Sequence, residues 1–131
     1  MRKSTLLVFV AACQLAGAGE TEKNPHELNQ WNRLDATYKI HSGGAAYSEL
    51  PTKTDRTFTV NFKGEAAKQL FDQMGPDVKD GCSSEKGDRE RRNKGAVCLY
   101  ETRLDSPTDS HYRCWIGIDI RTGAGSARVS C

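Results

Sequence analysis

Tyr112-Arg113-Cys114-Trp115-Ile116-Gly117-Ile118-Asp119-Ile120-Arg121 is the most regularly alternating stretch of this 131-residue chain. Successive side chains of a strand point to opposite faces, so Tyr112, Cys114, Ile116, Ile118 and Ile120 share one face while Arg113, Gly117, Asp119 and Arg121 share the other. The stretch therefore reads as a half-buried strand whose apolar face belongs to the core. Trp115 interrupts the polar face and is expected to cap the sheet edge, to lie on a surface meant for contact or, most simply, to pack under a loop.

Downstream, Thr122-Gly123-Ala124-Gly125-Ser126 is a glycine-bearing turn, and Ala127-Arg128-Val129-Ser130-Cys131 alternates again. Together these predict a C-terminal hairpin that sets Cys114 opposite Cys131 when the turn centres on Thr122-Gly123. Upstream, residues 95–102 form another strand candidate around Val97, Cys98 and Leu99, joined to the first by a polar loop containing Ser106-Pro107. The simplest arrangement is an antiparallel meander.

Before the meander, Phe58, Val60 and Phe62 alternate with short polar residues as in a half-buried strand. That strand runs into Ala66, Ala67, Leu70, Phe71 and Met74 at helical spacing, with Gly75-Pro76 as the stop. Earlier, residues 36–40 alternate, Ser42-Gly43-Gly44 turns, and residues 45–50 form a weaker return strand ended by Pro51. The expected fold is α+β: one main helix packed on a small, mostly antiparallel sheet with a disulfide-stapled C-terminal meander, in a single domain over residues 36–131.

Of the five cysteines, Cys82, Cys98, Cys114 and Cys131 lie in this domain, each more than fifteen residues from the next. Tetrahedral zinc sites draw on closely spaced pairs, so disulfides are the better reading. Four cysteines allow three pairings; the favoured one joins Cys82 to Cys98 and Cys114 to Cys131.

The compartment supports this. Met1-Arg2-Lys3-Ser4 is a short basic start and Thr5 to Ala12 an apolar run too short to span a bilayer. Val10-Ala11-Ala12-Cys13 resembles a bacterial lipobox, in which cleavage precedes a cysteine that becomes lipidated. Ala16-Gly17-Ala18 resembles the small-x-small site of an ordinary signal peptidase. The lipobox resemblance implies a lipoprotein anchored through Cys13, and Gln14 after it is compatible with outer-membrane sorting. Either cleavage leaves an even set of cysteines in a compartment where disulfides persist. Either also removes Arg2 and Lys3, which account for the formal net charge of +2, so charge gives no support to a nucleic-acid partner.

Residues 13–35 read as a tether. Within it Asn24-Pro25-His26-Glu27 has the marks of a helix start, followed by Leu28, Trp31 and Leu34 on one face, and Trp31 is expected to dock on the domain. Between helix and meander, residues 82–94 read as a mixed-sign solvated loop. Its alternative role is recognition: Arg89, Arg91 and Arg92, braced by a bridge from Cys82 to Cys98, would address a carboxylate-rich partner, with Trp115 as a second contact candidate.

No catalytic constellation stands out. His26, His41 and His111 sit in unlike contexts without metal-ligand spacing and are expected at the surface; Asp105 and Asp109 read as turn formers. Gly123 to Arg128 lacks the third glycine and following helix of a dinucleotide loop, and no cofactor is implied. The expectation is a non-enzymatic, periplasm-facing envelope lipoprotein or exported binding domain, by analogy of compartment and size an inhibitor or immunity-type partner of an envelope enzyme. An accessory subunit of an envelope complex is the alternative, and a small periplasmic enzyme stands behind both.

Overall fold

The structure, a computed structural model, describes residues 29–129. The chain divides into two units, Met1–Asn32 and Arg33–Cys131. The expected leader, Cys13, His26, residues 24–28 of the expected short helix, and Cys131 lie outside the described residues.

The second unit carries strands β1 (Ala36–His41) and β2 (Thr57–Lys63), helix α1 (Glu65–Gln73), and strands β3 (Arg89–Arg92), β4 (Ala96–Tyr100) and β5 (Tyr112–Asp119). The strands form one sheet in the order β1-β2-β5-β4-β3, every neighbouring pair antiparallel. The fold is α+β and mostly sheet. The strand around Trp115, β5, is the central one of the five.

Registry sorts the side chains into two faces. Ala36, Phe62, Cys114, Cys98 and Arg91 stand in one row, and Tyr38, Val60, Ile116 and Ala96 in the next. α1 lies over the first row. Phe62, Ala67, Phe71, Cys98 and Cys114 form the buried cluster, flanked by Val60, Leu70, Met74, Tyr100 and Tyr112. The edge of the Tyr112 ring meets Phe71 at 5.4 Å, a favourable aromatic geometry. Gly64 precedes the helix at φ 76°, a left-handed turn that suits glycine and lets β2 pass straight into α1.

The disulfide joins Cys98 to Cys114, directly opposed on β4 and β5 with Cα atoms 4.1 Å apart. Both expected pairings are thereby overturned, because each assigned one of these cysteines elsewhere. The expected hairpin register misled: antiparallel pairing of β4 with β5 brings residues sixteen apart face to face across the loop at 101–111. Cys82 is disulfide-bonded as well.

Three further expectations need correction. The loop at 82–94 contains a strand, β3, because Arg89 to Arg92 complete the sheet edge beside β4. The C-terminal hairpin is reduced to one bridge, Ile118 with Gly125. After Gly123 (φ 72°) closes the turn onto Asp119 O, the chain crosses the sheet face opposite α1, with Ser126 N–H donating to Gly117 O at 2.8 Å and Ala45 N–H to Arg128 O at 2.7 Å. Gly117 permits that crossing, since a Cβ there would lie 2.3 Å from Ser126 O. The return strand at 45–50 is likewise only a bridge between Ser42 and Glu49.

Residues 29–35 carry a turn and then chain without helix. His41, expected at the surface, is 1% exposed: Nδ1 meets Ser42 O at 3.2 Å and Nε2 meets Thr59 Oγ1 at 2.9 Å. It sits under the connection between β1 and β2, a burial that local sequence does not encode.

Candidate functional site

A nine-residue helix is about 14 Å long and 10–12 Å wide, whereas a five-stranded sheet spans about 19 Å across its strands and about as much along them. α1 therefore cannot cover the sheet. It takes the end bearing Cys98 and Cys114 and leaves the other end of the same face open.

That open half is apolar. Tyr38, Val60 and Ile116 form one row across β1, β2 and β5, and Ile40, Phe58 and Ile118 the next. Ile120 extends the patch past β5, its N–H donating to Arg56 O at 2.9 Å. Tyr38 is 71% exposed, Ile40 48%, Ile118 41% and Ile120 46%, and the Tyr38 and Phe58 rings pack at 5.4 Å. Scattered exposed apolar residues are ordinary, whereas these stand in neighbouring rows of one sheet face. Ile116, Ile118 and Ile120 were assigned to the core by alternation, and only Tyr112 and Cys114 of that face are covered. Alternation marks Phe58 and Val60 as the apolar face of a half-buried strand and places Tyr38 and Ile40 in an alternating run, without marking any of the four as a contact surface. The available signal was the mismatch between one short helix and several apolar strand faces.

The arginines are differently placed. Arg89 and Arg91 project on the helix side and Arg92 on the opposite side, so they do not form one surface. Asp77 accepts from Arg89 Nε and Arg91 Nε, each at 2.7 Å, and these bonds hold its carboxyl below the usual range. Arg91 also donates to Phe71 O at 2.7 Å, satisfying a helix-terminal carbonyl, and its guanidinium lies 4.3 Å from the Phe71 ring centre. Arg92 pairs with buried Glu90, whose other oxygen accepts the Cys82 N–H at 2.8 Å. These contacts close the β3 edge and anchor α1.

Trp115 is half-buried on the sheet face opposite α1, with the Arg113 guanidinium 5.9 Å from its ring centre. It lines an open cleft of about 340 Å³ with Thr37, Lys39, Thr59, Asn61 and Val129. Lys39 Nζ donates to Ala45 O and to Ser48 Oγ, and Asn61 to Cys114 O. Among the described lining residues Tyr38 and Lys39 are the ionisable ones. Among the described residues no group of three His, Cys, Asp or Glu side chains is placed to hold a metal. His111 stacks on Tyr100 at 5.4 Å, far from His41 in role as well as in sequence.

No family model, curated protein or solved structure matches this chain.

Proposed function

We propose that this protein is an exported, non-enzymatic binding domain of a bacterial cell envelope, anchored through lipid on Cys13 to the outer membrane and facing the periplasm. It engages an envelope protein, of which a wall-degrading enzyme is the favoured type, through the apolar half of its sheet. The observation that carries this reading is the exposed Tyr38, Ile40, Ile116 and Ile118 patch beside a core that is already closed elsewhere. A residue set that served only stability would be covered; this one is held flat and rigid by three paired strands, which lowers the entropic cost of docking. The arginines first considered for this role are engaged with Asp77, Glu90 and the helix end, which moves the proposed contact from β3 to the apolar half.

The test is capture from envelope extracts with the mature protein and two variants, Ile118→Lys at the patch and Arg89→Ala at β3. Retention of one hydrolase by wild type and Arg89→Ala, its loss with Ile118→Lys, and inhibition of that hydrolase by the pure protein are the expected results. Equal capture by all three proteins would refute the patch as the site, and capture of a membrane complex instead would favour the accessory-subunit role. Fatty-acid labelling of wild type but not Cys13→Ser is expected; equal labelling of both would remove the anchor.

A further inference from the structure

The two edges of the sheet are finished differently. On β3, Val78 N–H donates to Glu90 O at 2.8 Å and Arg91 and Arg92 are held in ion pairs, so the edge is closed. On β1, no backbone hydrogen bond among the described residues reaches the outer side of Ala36, Tyr38 or Ile40.

Which β1 groups point outward follows from the ladder. At both ends of the β2–β5 pairing the even-numbered β2-side positions bond to β5: Gly64 N–H to Tyr112 O, and Ile120 N–H to Arg56 O. Odd-numbered residues of β2 therefore face β1, where they meet Thr37, Lys39 and His41. Ala36, Tyr38 and Ile40 turn their N–H and C=O groups away from the sheet. Ser42, next in that series, exchanges both its groups with Glu49, at 3.1 and 3.2 Å, so the open edge ends at Ile40.

We infer that β1 is a self-association edge: a second copy pairs with it antiparallel about Thr37, joining two five-stranded sheets into one of about ten strands. The strand and the residues before it are self-complementary in that register. Ala36 stands opposite Tyr38 of the second copy, at positions whose backbone groups turn outward, and Leu34, two residues before β1, falls opposite Ile40 when the strand is continued to it. On the other face Thr37 meets its own copy, and Asp35 meets Lys39 twice by symmetry, at a position where opposed side chains approach most closely. Lys39 carries three N–H donors, of which two go to Ala45 O and Ser48 Oγ, leaving one for that carboxylate. Shifting the register by one residue would set the helix-bearing face of one copy beside the opposite face of the other and lose the charge match.

A seven-residue edge is about 23 Å long, so the pairing buries an area near the lower limit of specific interfaces and the dimer is expected to be concentration-dependent. It places the two apolar halves side by side on one surface, but it does not require them to have a partner.

The test is sedimentation equilibrium of the mature protein with Cys13→Ser, which keeps lipid off, across a wide concentration range. A monomer–dimer equilibrium is expected, weakened about tenfold or more by Asp35→Lys and recovered in the charge-swapped Asp35→Lys/Lys39→Glu protein. Should the Lys39 change disturb its own loop, Thr37→Cys supplies an independent readout: under oxidation it is expected to give a covalent dimer, and Lys63→Cys none. A monomer at every concentration, a dimer indifferent to Asp35→Lys, or cross-linking no better at Thr37 than at Lys63 would each overturn the inference.

Discussion

Phe71, on α1, and Ile118, on β5, lie on the same side of the sheet, and substituting each separates what closes the core from what is presented to solvent. Phe71 is 1% exposed, meets the Tyr112 ring and lies under the Arg89 and Arg91 guanidinium groups. Phe71→Ala removes those contacts and opens a cavity that a nine-residue helix cannot collapse, at a cost of about 3–5 kcal/mol. For a domain of this size each kcal/mol moves Tm by about 4–8 °C, so the midpoint should fall by roughly 12–40 °C. Ile118 is 41% exposed, and Ile118→Thr keeps the β-branch, so only part of a burial worth about 1.5–3 kcal/mol is lost and the shift should be about 5 °C. Thermal and urea denaturation of the oxidised proteins gives both numbers. Equal losses would mean that the patch is core, and a loss under about 1 kcal/mol for Phe71→Ala would mean that α1 is not what seals the sheet.

The Cys98→Ala/Cys114→Ala protein should lose about 3 kcal/mol, the value for closing a loop of about sixteen residues, measured by the shift in urea midpoint; an unchanged midpoint would remove the bridge from the account. Non-reducing peptide mapping should recover a Cys98–Cys114 crosslink and, with Cys13 lipidated or cleaved away, a second joining Cys82 to Cys131; a Cys82–Cys98 peptide would contradict the sheet register. The carboxyls of Asp55, Asp77, Asp88 and Asp109 are all held below their ordinary range, by Gly43 N–H, Arg89, Ser83 and Lys63 respectively as leading causes. Depressed values contribute stability that is present above the unfolded value of about 3.9 and lost as pH falls through the lower folded values, so acid titration should show destabilisation beginning below about pH 4. Asp77→Asn should flatten that dependence, and an identical acid profile would show its ion pairs to be inert. Gly117→Ala should drive the C-terminal segment off the sheet, seen as faster hydrogen exchange at Ser126, because the new Cβ falls on Ser126 O.

Local periodicity sufficed for β2, α1, β4 and β5, because each is an amphipathic segment whose pattern reports its own secondary structure. β3 escaped it: Arg89-Glu90-Arg91-Arg92 has no apolar alternation, and what makes it a strand is pairing with β4 and the engagement of its charges by Asp77 and Glu90. The disulfide pairing escaped for the related reason that it depends on register across a loop rather than on any one strand. Gly117 did carry a signal, since a glycine within an otherwise apolar strand marks a close backbone approach, here the segment from Gly125 to Arg128. The apolar patch was legible as strand faces but not as surface; that distinction requires the length of α1 set against the width of the sheet, which becomes known only when all five strands are counted together.

Carbene footprinting of the native protein, at a concentration low enough to keep it monomeric, bears most directly on the exposed half-sheet. Tyr38, Ile40 and Ile118 should label strongly while Phe62 and Phe71 on the same side stay protected. Uniform protection across both groups would mean that the sheet has no open half and that the proposed binding surface does not exist.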